Sequence, residues 1–236
     1  IYYKLWISLI SIFPKNKGIT LNKDFSLKVM HSLLIDTSHQ ESAIGVFDTT
    51  DQWLIYKTFK KTPYEALSYE FKGLLNESKI ALDTVSKIFI PCAPGSSLGI
   101  RVTKMFVEGL TTSSNNSPKV FQYNGLFLSA LSLKEGLKDE NYLITENGRS
   151  HWSLINLSQL MNPTIESIDE DALNCIQGQL YYIEQTKKWK RPPNTAKKID
   201  YLPKKFSCYL NQIETFKIDH TKLISSQSKY KKWNTK

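Results

Sequence analysis

The chain has 236 residues, of which 41% are hydrophobic, 12% aromatic and 22% charged, which excludes a disordered or collagen-like protein. Its formal net charge of +9 is uneven: residues 1–29 hold five bases and one acid, 30–186 twelve and eighteen, and 187–236 fourteen and three. Three scattered cysteines (Cys92, Cys175, Cys208) and four histidines without ligand spacing support neither a disulfide scaffold nor a zinc site. No run reaches the about 18 apolar residues of a membrane span, so the expectation is a cytoplasmic protein with no membrane role.

Residues 1–29 read as an extension outside the domain. Their apolar run, IYYKLWISLISIF, stops at Pro14, and Met30 stands directly before a strand-like segment. The expectation is that Met30 opens the domain; the competing reading of 1–13 is a short interfacial anchor. Residues 32–36 then read as a buried strand, and 42–48 and 52–59 as a hairpin. Pro63 opens a helix, since proline is favoured in a first turn, with Leu67, Phe71, Leu74 and Leu75 on one face. A strand over 86–90 leads through a Pro-Gly-Ser loop into a helix over 98–112. That helix carries two apolar stripes: Leu98, Val102, Met105, Phe106 and Gly109, then Ile100, Thr103 and Val107. Two such stripes mean burial on both sides or one side offered to a partner.

A strand at 118–122, a helix near 125–135 and a hairpin of 141–147 with 151–157 around Gly148 follow. Residues 168–185 read as one helix and 187–205 as a basic loop. The order βββαβα, then β, α, β, β, points to an α/β protein with the ribonuclease-H-like half of the actin and sugar-kinase class. The expected divisions are an N-terminal lobe over 30–136, a reduced C-terminal lobe over 137–186 and a basic tail over 187–236.

Two segments have residues suited to a site. Asp36, Thr37 and Ser38 end the first strand: a carboxylate and two hydroxyls that could face magnesium or a phosphate. The same residues also make an ordinary Asx- or Ser-type turn. In Ala93–Arg101, Pro94-Gly95 makes a turn, and Ser96 or Ser97 can cap a helix whose free N–H groups would suit an anion. Neither a Walker A loop nor a nucleophile elbow is present. Arg149, on the turn after Gly148, suits a phosphate, a partner carboxylate or solvent. Asp36 with Glu146 is a further candidate, for a metal pair. Residues 150–236 contain a single glycine, Gly178, which leaves little for a nucleotide pocket built on close backbone approach.

Met30-His-Ser-Leu-Leu-Ile-Asp-Thr-Ser38 and Pro94-Gly-Ser-Ser-Leu-Gly-Ile-Arg101 together resemble the TsaB (YeaZ) family, and 141–155 resembles its later strand pair. The likeness covers about 30–157, and the paired motifs carry it. The resemblance implies an actin-like ATPase fold with a reduced C-terminal lobe. It implies a non-catalytic, interaction subunit of tRNA threonylcarbamoyladenosine biosynthesis, paired as a heterodimer with the transferase TsaD, which modifies adenosine 37. A TsaE-like ATPase joins them, and ATP and metal are expected on those partners, with no cofactor required here. tRNA would be reached through the complex.

From the residues themselves, Asp36, Thr37, Ser38, Gly95 and Ser96 are the phosphate-facing candidates. The resemblance adds Leu67, Phe71, Ile100, Arg101, Lys104 and Val107, on the first two helices, as the partner-facing ones. Departures occur where Ser97-Leu98 replaces the family's Phe-Thr, where Ala93 replaces its glycine, and where Pro63-Tyr64-Glu65 opens the first helix. The alternative is a magnesium-dependent hydrolase of phosphate esters or nucleotides using Asp36. A third reading is a nucleic-acid module working through residues 187–236.

Overall fold

The computed structural model describes residues 30–114, 116–134, 141–185, 190–213 and 215–218; the extension 1–29 and the end of the tail lie outside the described residues. Two mixed sheets are built on the same plan. In the first, β1 (His31–Asp36), β2 (Ser42–Phe47) and β3 (Trp53–Phe59) form an antiparallel meander, the buried strand and hairpin expected from the sequence. β4 (Val85–Ala93) and β5 (Lys119–Asn124) then add in parallel beside β1. In the second, β6 (Asn141–Asn147), β7 (His151–Asn156) and β8 (Ile165–Ile168) form the meander. β9 (Gln179–Ile183) and β10 (Lys197–Ile199) add in parallel beside β6. The strand orders, β11-β5-β4-β1-β2-β3 and β10-β9-β6-β7-β8, differ only by β11 (Thr215–Ile218), which returns to pair with β5. A repeat that the residues do not show is therefore visible in the topology.

Helix α1 (Pro63–Ser78) has proline in its first turn and ends at Lys79 in the left-handed conformation (φ 57°). It buries Ala66, Leu67, Phe71 and Leu74 against the first sheet. Helix α2 (Ser97–Ser113) buries Gly99, Val102, Thr103, Phe106, Val107, Leu110 and Thr111. Those positions recur at three- and four-residue steps, one wide core-facing stripe. The two stripes expected on this helix are thus merged: Val107 sits beside Phe106 in the core, and Leu98 is left outside, 61% exposed. Phe71 of α1 meets Phe106 of α2 edge-on at 5.3 Å between ring centroids. Each fully buried side chain of this size stabilises the fold by roughly 1.5–3 kcal/mol.

Helix α3 (Gly125–Lys134) starts from Asn124, whose side chain accepts from the Leu126 N–H (2.9 Å), and is buried from Gly125 through Leu131. It belongs to a core shared by both sheets, with Leu34, Phe47, Phe89 and Tyr123 from one and Leu143, Ile155 and Ile183 from the other. That shared core joins the two lobes.

Residues 168–185 do not form the single helix expected. Asp169 caps a helix α4 of five residues (Glu170–Asn174), and Gly178 (φ 131°) turns the chain into β9. The basic segment is also structured. β10 pairs with β9, and a 3₁₀ stretch, Pro203–Tyr209, buries Pro203 and places Phe206 and Tyr209 in the shared core.

Candidate functional site

The sequence motifs meet where β1 ends. The Asp36 side chain, 1% exposed, accepts four hydrogen bonds. Ser38 donates from its backbone N–H (2.9 Å) and hydroxyl (2.6 Å) to Oδ1, while the Tyr123 (2.5 Å) and Tyr201 (2.6 Å) hydroxyls donate to Oδ2. Burial, and then the Asp36 charge, push both phenols well above their ordinary range, so they stay protonated and donating. A carboxylate has about four acceptor positions, so this one is saturated by its own chain. A hydrated magnesium ion at Asp36 would have to displace tyrosine hydroxyls.

Thr37 and Ser38 are engaged with the second motif. The Thr37 hydroxyl donates to the Gly99 carbonyl (2.7 Å) and lies 2.7 Å from the Thr103 hydroxyl. The Ser96 N–H donates to the Ser38 carbonyl (2.6 Å), and the Ser96 hydroxyl accepts from the Gly99 N–H (3.1 Å), capping α2. Two glycines make this approach feasible. A Cβ on Gly99 would lie 1.9 Å from the Thr37 carbonyl oxygen, and one on Gly95 (φ 135°) 2.3 Å from that of Ser38. The five phosphate-facing candidates are thus brought together, with the strand end and the loop locked back to back.

His39 completes the cluster. Its ring stacks on Tyr201, 3.8 Å between centroids and 22° between planes. Its Nδ1 lies 2.8 Å from the Ser38 hydroxyl. That hydroxyl gives its proton to Asp36, so Nδ1 carries the His39 proton and Nε2 is left as a buried acceptor without a partner among the described residues. Burial lowers the imidazole pKa to about 4, opposed by the Asp36 charge, so the ring is neutral at neutral pH.

The six partner-facing candidates divide. Leu67, Phe71 and Val107 are fully buried in the core and offer no surface, because the first sheet and the facing helix cover the stripes that hold them. Ile100 and Lys104 are half-buried and Arg101 is exposed. Leu98, Tyr64 (46%) and Tyr69 (74%), not named among the candidates, are the large hydrophobic side chains exposed on α1 and α2. Arg149 is exposed on its turn. Glu146, at the end of β6, accepts from the Lys190 N–H (3.3 Å). Among the described residues, no group of three His, Cys, Asp or Glu is placed to hold a metal ion, and no helix is long and apolar enough to cross a membrane.

No family model matches the chain, and none of the curated proteins does. Solved structures do. YeaZ from Pseudomonas aeruginosa is 14% identical, with a TM-score of 0.55 over 82% of this chain and 97% of its own. A structure described as an uncharacterized protein with similarity to peptidase YeaZ from Pseudomonas aeruginosa is 16% identical, with a TM-score of 0.49 over 65% of this chain and 75% of its own. The ROK hexokinase from Thermus thermophilus is 16% identical, with a TM-score of 0.32 over 54% and 45%. At such identities the likeness is one of architecture: the chain has the actin-like ATPase fold, arranged as in YeaZ.

Proposed function

We propose that this chain is a TsaB-like, non-catalytic subunit that binds a TsaD-like transferase and holds it in its active form for threonylcarbamoyl transfer to tRNA. The observation that carries the reading is the coincidence of both family-like motifs, Met30–Ser38 and Pro94–Arg101, at one place in a YeaZ-like fold. The chemistry of that place supports it. Asp36 is closed off by Tyr123 and Tyr201, and Thr37 and Ser38 hold the start of α2. These groups build a platform beneath α2 instead of an open catalytic pocket. ATP and metal then belong to the TsaD-like and TsaE-like partners, and the complex works in the cytoplasm. The partner would meet the outer side of α2, through Leu98, Ile100, Arg101 and Lys104. The hydrolase alternative gains nothing from a carboxylate already saturated by internal donors.

The test is reconstitution of tRNA threonylcarbamoylation with the TsaD-like and TsaE-like subunits of the same genome, with and without this chain. Modified adenosine should form only when the chain is added. Equal yields in its absence would sink the proposal.

A further inference from the structure

The basic segment that reads in the sequence as a tail is a fixed strap. Residues 190–205 hold six bases (Lys190, Arg191, Lys197, Lys198, Lys204, Lys205) and one acid, Asp200, whereas 30–186 hold eighteen acids and twelve bases. The strap is anchored at intervals along its length. The Thr195 carbonyl accepts from the Gln179 side chain (3.0 Å), and β10 pairs with β9. Tyr201 donates to Asp36 and covers Gly125, where a Cβ would meet its hydroxyl at 2.8 Å. The Lys204 carbonyl accepts from the Trp53 indole (2.9 Å).

Along the strap Arg191, Lys197, Lys198 and Lys204 are exposed. Lys198 pairs with Glu184, while Arg191, Lys197 and Lys204 have no carboxylate partner among the described residues. Lysines on an edge strand such as β10 do discourage strand addition. That role does not account for Arg191 and Lys204, which lie off the strand.

We propose that this strap binds the phosphate backbone of RNA. Exposed cations on a segment pinned to the core suit a long, regularly charged polymer, because the segment's ordering entropy is already lost on folding. A membrane fits less well, because the large apolar side chain exposed on the strap is Leu202 alone, 48% exposed, too little for an interfacial wedge. The proposal rests on the proposed function only for which RNA is bound, the substrate tRNA of that complex.

The test uses the full chain and a fluorescent RNA stem-loop, with binding followed by anisotropy over a salt series. Arg191→Glu/Lys197→Glu/Lys204→Glu should weaken binding at least about tenfold and lower the salt slope by about 2–3. The Arg→Gln/Lys→Gln version of the same triple should give a smaller change in the same direction. The effect should persist in a chain whose Lys222, Lys229, Lys231, Lys232 and Lys236 are all changed to Ser. Triples that melt at the parental temperature and bind RNA as the parent does would overturn the proposal. So would equally tight, strap-dependent binding to polyglutamate or to phosphatidylserine vesicles. Partner binding is read separately by size exclusion, so an intact complex with no RNA contact by the strap would sink this inference and leave the proposed function standing.

Discussion

The Tyr201 hydroxyl donates to the Asp36 carboxylate at 2.6 Å across 165 residues of sequence. That bond ties the last third of the chain to the end of the first strand. Hydrogen bonds to a buried charge contribute roughly 1.5–3 kcal/mol. Tyr201→Phe should therefore lower unfolding stability by about that amount, measured by urea denaturation. Asp36→Asn combined with Tyr201→Phe should be clearly non-additive, because the two residues share one bond. Additive losses would show that they act independently.

The approach of Gly99 to Thr37 gives a contrast within one chemical change. Gly99→Ala puts a Cβ 1.9 Å from a backbone oxygen that is held in place, so strand and helix must separate. Gly73→Ala lies inside α1, where the nearest atom to a new Cβ is the Lys57 Nζ, the far end of a long side chain, at an ordinary contact distance of 3.8 Å. Gly73→Ala should stabilise by about 0.5–1 kcal/mol through backbone entropy, whereas Gly99→Ala should destabilise severely or fail to fold. Thermal midpoints of the two variants decide the point.

His39 makes stability fall in mild acid. Its folded pKa, about 4, lies below the ordinary 6.5, so between these values the unfolded chain binds more protons than the native one. Unfolding free energy should therefore rise with pH across that window and lose this dependence above it. His39→Gln keeps a polar side chain and removes the titration, so its urea midpoints should follow a flatter curve from pH 4 to 6.5. Parallel curves for the two proteins would contradict the assignment.

Much of the first sheet was legible in the sequence, because β1 is a short apolar run, β2 and β3 are joined by a hairpin turn, and α1 and α2 carry helical periodicity, with a first-turn proline in α1 and a capping serine in α2. The two motifs were legible as a pair, and so was their turn chemistry. Tyr123, Tyr201 and His39 were not legible as a cluster, since each is an ordinary residue in its own neighbourhood and only the tertiary fold joins them. β10 escaped detection because Lys197-Lys198-Ile199 pairs through its backbone while both lysines remain exposed. Val107 was misplaced among partner-facing residues because periodicity gives the width of a buried stripe but not which side of it meets the sheet.

The most direct measurement of the central claim is the mass, by size exclusion with light scattering, of this chain co-expressed with the TsaD-like protein of the same genome. A one-to-one complex is expected. It should weaken at least tenfold in Leu98→Asp/Arg101→Glu and survive Met161→Asp, a change at a residue 89% exposed on the loop before β8. Two separate peaks at micromolar concentration, or a complex indifferent to the α2 substitutions, would contradict the account.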